Sequence, residues 1–340
     1  MMWKMPAETD EHERCWMAFP TEGPTLGDTD TEKDECYKSW SEVALAIAEF
    51  EPVTMVVDPS EMKRARNMLG SDIELLEAPV DEFWMRDHGP SFVTDGEQLG
   101  AVAWTFNGWG AHDWAEWEKS AKHGQIIAEA VGAKLITSEM VNEGGGIHVD
   151  GAGTVFVTDT VQLDPRRNPG WDRAKVEAEL ARTIGAKNVV WVPRGLSRDY
   201  EEFGTNGHID IVLAVADHET ILLHAQIDKN HPDFSVMPEI KAAVAASTTV
   251  SGQKWKILEI PGPKELRDSE GFVDWSYINH LAVNGGVIAC GFGEEKADAA
   301  AREILSEAYG GRKAVTIDAR PIFDRGGGIH CITQQQPKLG

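Results

Sequence analysis

Apolar positions fall along the chain in two rhythms. Short apolar runs recur at Pro52–Val57 (PVTMVV), Gln98–Thr105, Thr154–Thr158, Asn188–Val192, Asp210–Ala216 and Thr220–Leu223, and read as strands. Between them, apolar residues spaced by three and four mark helices over Ser39–Phe50, Trp114–Ala130, Ala174–Ile184 and Glu294–Tyr309. The last of these is rich in Ala and Glu and opens after a Gly-x-Gly turn. Alternation of this kind predicts an α/β protein. Turn chemistry is strong at Asp164–Gly170 (DPRRNPG) and at Pro261–Pro263, but neither reads as a linker. No apolar run approaches the roughly 20 residues of a membrane span. The start, MMWKMPAETDEHER, has no apolar segment of the kind a signal peptide carries, which predicts a cytoplasmic protein.

A second pattern lies over the first. Gly144–His148 reads GGGIH, and Gly326–His330 reads GGGIH again. Identical glycine-rich corners, each entering an extended run, signal repeated supersecondary units. Trp84–Pro90 (WMRDHGP), Phe106–Gly110 (FNGWG) and Asn206–Asp210 (NGHID) are corners of similar character. The polar corners at Asp87, Glu143, His208/Asp210 and Cys331 are separated by about 56, 65 and twice 60 residues. A unit near 65 residues divides the chain of 340 into about five. That arithmetic predicts five similar units around one centre, a single domain over residues 1–340. Length alone would suggest two ordinary domains.

Composition narrows the partners. The chain is 42% hydrophobic, enough for a large core. Its 56 acidic and 32 basic residues leave a net charge of −24, which opposes binding to nucleic acid and to anionic membranes. A small cation is attracted. Four cysteines (Cys15, Cys36, Cys290, Cys331) in so long a chain do not make a disulfide framework and read as reduced thiols.

Cys331 is the best candidate nucleophile, because glycines lead into it and polar residues follow it (GGGIHCITQQQP). Its plain alternative is a small buried hydrophobe. His208 and Asp210 are two apart; on a strand they would project together, as an acid/base beside a carboxylate. His148 and Asp150 repeat that spacing. Asp87 is either a structural partner of Arg86 or a site residue, and Glu143 precedes three glycines. Together these groups suit a planar cation: paired carboxylates hold a guanidinium and a thiolate attacks its central carbon. A competing assembly is a metal site drawn from Glu143, His148, Asp150, His208, Asp210 and Cys331. No CxxC or HExxH spacing accompanies it, and there is no Walker loop, Rossmann fingerprint or GxSxG. Of the 12 tryptophans, Trp84 flanks Asp87, and Trp104, Trp109, Trp114 and Trp117 cluster.

These motifs resemble the agmatine deiminase family, also called the bacterial-type peptidylarginine deiminases. The resemblance rests on Pro6-Ala7-Glu8, WMRDHGPSFV from Trp84, WTFNGWG from Trp104, EGGGIHVDGAGT from Glu143, RNP from Arg167, TNGHID from Thr205 and GGGIHCITQQQP from Gly326. It implies a five-bladed α/β propeller of ββαβ repeats with the active site in the central channel. It implies a hydrolase acting on the C–N bond of a linear amidine, by default agmatine, through a covalent Cys thiouronium. Cys331 is then the nucleophile, His208 the acid/base, Asp87 and Asp210 the guanidinium carboxylates, and Glu143 a partner of His208 or substrate. Trp84, Trp109 and Gly328 fall among substrate-binding positions, no metal or organic cofactor is needed, and a homodimer is compatible. The chain departs from the family at Gly204, where an acid is usual before Thr-Asn-Gly-His, at Ile211, and at Gly328, both usually Asn. Those departures concern the substrate's tail, for which Glu201 or Glu202 are substitutes. They leave open other guanidines (free or peptidyl arginine, or a specialised metabolite). More distant alternatives are the metal-dependent hydrolase and a non-catalytic, cation-binding propeller.

Overall fold

The computed structural model describes residues 2–264, 267–268 and 271–340. Among the described residues the strands form five small mixed sheets. Four of them repeat one plan: an antiparallel pair, a helix, then a strand parallel to the second. Ser91–Thr94 pairs antiparallel with Leu99–Thr105, which runs parallel to Lys134–Val141 after helix His123–Val131. Ile147–Val149, Thr154–Thr158 and Asn188–Val192 follow the same plan with helix Arg173–Ile184. Leu213–Val215, Thr220–Ala225 and Lys256–Pro261 use helix Asp233–Ala246. Leu281–Val283, Gly286–Gly291 and Lys313–Asp318 use helix Glu295–Ala308.

The remaining sheet borrows its antiparallel strand from the far end of the chain. Gln334–Pro337 pairs with His12–Ala18 in the register Arg14↔Gln336. His12–Ala18 is parallel to Val53–Val57 after helix Asp30–Ala48, and Glu74–Glu77 extends the edge. The two chain ends are therefore joined in one sheet. Helices pack against their neighbours' sheets as well as their own: Arg173–Ile184 touches Lys134–Val141, and Asp30–Ala48 touches Gly286–Gly291. The middle strands are covered on both faces and are apolar nearly throughout, as Val53–Val57 and Thr154–Thr158 show. Middle strands begin at Leu99, Thr154, Thr220 and Gly286, that is 55, 66 and 66 residues apart, close to the repeat expected from the corners.

Local chemistry explains the places where element boundaries differ from the sequence reading. The first helix starts at Asp30 rather than Ser39, because Thr29 and Glu32 form a reciprocal capping box. The helix expected over Trp114–Ala130 begins only at Ser120. There Asp81, distant in sequence, accepts hydrogen bonds from the amides of Lys119 and Ser120 at 2.7 and 2.9 Å and supplies the cap. The strand expected over Asp210–Ala216 is reduced to Leu213–Val215, preceded by a 3-10 turn at Ile209–Ile211.

Candidate active site

Each of the five segments that lead from one sheet to the next delivers a polar side chain to a common place. Asp87 lies in the short helix Met85–His88 between the first and second sheets. Glu143 stands at the Gly144–Gly146 turn, and His208 and Asp210 flank Ile209 in the next connection. Asn279 comes from the segment before Leu281, and Cys331 from the one before Gln334. All six are at most 5% exposed, so the site is desolvated.

His208 and Asp210 are on a turn, which corrects the same-face argument from a strand. Asp199 imposes the turn. Its carboxylate accepts from the amides of Thr205, Gly207 and His208 at 2.7, 2.6 and 3.0 Å and from the Thr205 hydroxyl. The chain bends through left-handed φ values at Asn206 (68°) and Gly207 (110°) to satisfy that one carboxylate.

His208 sits among carboxylates. Its Nε2 is 3.3 Å from Glu143 Oε2, and its Nδ1 is 3.8 Å from Asp87 Oδ1. Glu143 also receives the Arg167 guanidinium through Nε, at 3.0 and 3.1 Å. Asp87 accepts from Trp109 Nε1 at 2.8 Å and from the Gly145 amide at 3.1 Å. Trp109 holds a strained left-handed φ of 56° to make that bond. Arg86, the alternative partner for Asp87, turns away: it donates to His330 O and to the side chains of Gln334 and Gln335. Asp210 Oδ2 lies 2.8 Å from His330 Nδ1 and 3.5 Å from Cys331 Sγ. His330 Nε2 continues to Glu8 Oε2 at 2.8 Å. His208 Nδ1 and Asp210 Oδ1 are buried with no hydrogen-bond partner among the described residues.

The two GGGIH corners have corresponding uses. A Cβ on the middle glycine of the first, Gly145, would stand 2.4 Å from His208 Nδ1 and 2.9 Å from Asp87 Oδ1. A Cβ on Gly327, its counterpart, would stand 2.8 Å from the Trp84 ring and 3.0 Å from Cys331 Sγ. Only backbone fits beside these groups. The histidines that close the two corners, His148 and His330, stack with ring centroids 5.7 Å apart.

Electrostatics separates the groups by role. Burial alone would lower His208, but Asp87, Glu143 and Asp210 raise it to about 9. Burial would raise Glu143, yet Arg167 and His208 hold it down near 2. Burial, with Asp210 and Glu143 nearby, raises Asp87 to about 6. Asp210 goes the other way: against burial, His330 keeps it below the usual carboxylate value. The Cys331 thiol is pushed well above its ordinary value by burial and by Asp210 and Asp87. The resting site is therefore an acid, His208, beside carboxylates and a neutral thiol.

A small cavity of about 20 Å³ reaches the thiol, walled by Trp84, Asp87, Trp109, Trp114, Phe203 and Cys331 among others. Trp109 stacks on Trp114, which contacts Phe203. A Cβ on Gly328 would meet Asn279 and Phe323, and Gly328 is not among the residues that wall this cavity. A neighbouring pocket of about 540 Å³ shares Phe203 and Gly326 with it and is bordered by Glu201, Glu202, Asp274 and Asp324. A surface cavity of about 880 Å³ along Arg14 and Gln336 contains none of these groups.

The metal set read from the sequence is not assembled among the described residues. One close group of ligand atoms exists, Glu8, His148 and His330, and it shares only His148 with that set. His330 already has both ring nitrogens on carboxylates. Asp150 serves the fold: its Oδ1 accepts from the amides of Ala152, Gly153 and Thr154. Sequence reasoning did not single out His330, Arg167 or Asn279 for a role. His330 and Arg167 lie inside quoted motifs, whereas Asn279 has no motif around it.

Comparisons with known proteins identify the family of the chain. The model of the Porphyromonas-type peptidyl-arginine deiminase family matches residues 4–337. A Streptomyces coelicolor protein provisionally named an agmatine deiminase is 47% identical over 341 residues, covering 99% of this chain and 100% of its own. The agmatine deiminase of Ectopseudomonas mendocina is 36% identical over 360 residues, covering 98% and 95%. The solved agmatine deiminase of Enterococcus faecalis superposes with a TM-score of 0.91 at 28% identity, over 99% of this chain and 96% of that one. With the family model matching residues 4–337 and relatives at 47% and 36% identity over nearly the whole chain, the chain belongs to the Porphyromonas-type peptidyl-arginine deiminase family.

Proposed function

We propose that the protein hydrolyses a guanidino group, with agmatine as substrate and N-carbamoylputrescine and ammonia as products. The observation that carries this reading is the buried Asp210 carboxylate, whose Oδ2 lies 3.5 Å from the Cys331 sulfur and whose Oδ1 has no hydrogen-bond partner among the described residues. A planar cation with N–H groups on three sides satisfies Asp87 and Asp210 together and neutralises the charge that holds the thiol protonated. As the cation binds, the Cys331 thiol loses its proton to solvent, and the thiolate sulfur bonds to the guanidinium carbon as the C=N π pair moves onto nitrogen. His208, protonated at rest, gives its proton to the departing nitrogen, and ammonia leaves a thiouronium on the sulfur. Neutral His208 then takes a proton from water as its oxygen bonds to the same carbon. The C–S bond breaks, the thiolate returns, the hydroxyl proton leaves to solvent, where it converts the released ammonia to ammonium, and the ureido product is released. Glu143, fixed by Arg167, stabilises the charged form of His208 throughout.

The five repeated sheets are read as blades of one propeller, a single domain over residues 1–340, with the site where their connections converge. In favour of this are the common plan of the sheets and the joining of the chain ends in one of them. The tail of the substrate is assigned to the neighbouring pocket. Its acidic border, with Arg198 the lone basic residue among the described residues lining it, suits an ammonium rather than a carboxylate. That favours agmatine over free arginine although Gly204 and Phe203 replace the usual acid. Purified protein is incubated with agmatine, free arginine and a peptide ending in arginine, and ureido product and ammonia are measured. Agmatine is expected to be turned over fastest, and Cys331→Ala to abolish turnover of all three. Turnover by Cys331→Ala would sink the mechanism; a preference for either arginine substrate would sink the tail assignment.

A further inference from the structure

We propose that Glu8 is a positioning residue for the reaction: acting through His330, it holds the Asp210 carboxylate in place for the guanidinium. The proposal rests on the reading of Asp210 as a guanidinium carboxylate. Glu8 belongs to none of the connections between sheets. Its segment, residues 4–9, lies ahead of the first strand and is held by three of the five repeated units. Lys4 bridges to Thr94, the Met5 amide donates to Ile184 O at 3.0 Å, and Arg312 Nη2 donates to Thr9 O at 2.7 Å. A Cβ on Gly151 would stand 2.5 Å from the Ala7 nitrogen, so the backbones approach closely there.

The Glu8 carboxylate divides its oxygens. Oε1 accepts from the Ala282 amide at 2.8 Å, and Oε2 faces His330 Nε2 at 2.8 Å. The other ring nitrogen, His330 Nδ1, is 2.8 Å from Asp210 Oδ2. An ionised carboxylate only accepts, so both ring nitrogens carry protons and His330 is an imidazolium. All three side chains are buried. Against burial, His330 and Arg86 hold Glu8 well below the usual carboxylate range. Against burial and Arg86, Glu8 and Asp210 hold His330 above its ordinary value. Arg86 Nη2 stands 3.9 Å from Glu8 Oε2. His148, stacked on the His330 ring, and His280 are neutral, both pushed down to about 4, first by burial. Burial likewise keeps Cys15 and Tyr309, which also feel Glu8, protonated.

The imidazolium fixes one oxygen of Asp210 and leaves the other, Oδ1, without a partner among the described residues and open to a cation. Its charge depends on Glu8. Without that carboxylate, Arg86 opposes a second buried cation, and His330 loses its proton. A neutral ring still reaches Asp210 through Nδ1–H, but the bond is weaker than a charge-assisted one, and Asp210 is more easily protonated or turned.

Glu8→Gln tests this with the shape of the side chain kept. Its one carbonyl oxygen is needed by the Ala282 amide, so its NH₂ faces His330 Nε2, which must give up its proton. Ring-nitrogen NMR at pH 7, with His330→Asn to assign the signals, should show both His330 nitrogens protonated in the wild type and Nε2 bare in Glu8→Gln. KM for agmatine should rise about tenfold with kcat within about threefold of wild type. In the His330→Asn background the same substitution should change KM by less than about twofold, because the residue it acts through is gone. A wild-type His330 with one bare nitrogen overturns the proposal without any variant. So does a Glu8→Gln protein that melts near the wild-type temperature and keeps the wild-type KM, or an equal rise of KM in both backgrounds. A wild type that makes no ureido product overturns the proposed function, whereas wild-type turnover with an unchanged KM in Glu8→Gln overturns this inference alone.

Discussion

The Glu143–His208 contact supports a prediction that can be worked through from the distances. Glu143→Gln keeps the size of the side chain and removes one buried negative charge 3.3 Å from His208 Nε2. A hydrogen bond to a charged partner contributes about 1.5–3 kcal/mol, and 1.36 kcal/mol corresponds to one pK unit. His208 should therefore fall from its value near 9 by about one to two units. Arg167 reinforces the direction, because among the described residues only Asp164, 2.9 Å from its Nη1, would then be paired with it. Titration of ring-labelled histidine by NMR, with His208→Gln to assign the resonance, measures the shift. The alkaline limb of kcat/KM, which requires His208 protonated as the acid, should move inward by the same interval. Stability changes with it. In the wild type the raised His208 stabilises the fold fully below its unfolded value near 6.5, and that contribution is lost as pH rises through about 9. Glu143, depressed to about 2, stabilises above its unfolded value near 4.3, and that contribution is lost as pH falls through about 2. The variant should show a flatter melting temperature across both windows. A His208 midpoint that stays in place or rises in Glu143→Gln would refute the charge coupling.

Further outcomes are expected elsewhere in the site. Gly145→Ala drives a methyl against His208 and Asp87; turnover should fall at least about a hundredfold with a stability loss of about 1–3 kcal/mol, read by ureido assay and thermal melt. Trp109→Phe removes the donor 2.8 Å from Asp87, so Asp87 should rise above about 6 and the acid limb of kcat/KM should move to higher pH; an unmoved limb counts against Asp87 as a guanidinium ligand. His330→Asn breaks the chain from Asp210 to Glu8, and the loss of support for ionised Asp210 should appear mainly as a higher KM, about tenfold, in steady-state kinetics.

Much of the site is legible along the chain because the fold repeats. Each connection between sheets needs a tight corner, tight corners need glycine, and the polar residues beside those glycines are the ones delivered to the centre. GGGIH, occurring twice, marks Glu143 and Cys331 in this way, and Gly145 and Gly327 show why each corner has no side chain at its middle. Asn279 escaped because its connection, Ser276–His280, turns without glycine. His208 and Asp210 were found for a reason that proved mistaken. Their convergence depends on Asp199 gathering backbone amides, a bond pattern that strand periodicity does not express.

By itself, then, the sequence determined the α/β alternation, the period near 65 residues, the candidate nucleophile and acid/base, and the excess of negative charge suited to a cation. These depend on residue type and spacing, which the chain carries locally. Tertiary structure alone decided which groups meet and in what ionisation state. It turned Arg86 away from Asp87, set Arg167 on Glu143, placed His330 between Asp210 and Glu8, and brought Asn279 to the sulfur. Those are contacts between segments as far as 322 residues apart, and the protonation states follow from the burial and charges they create.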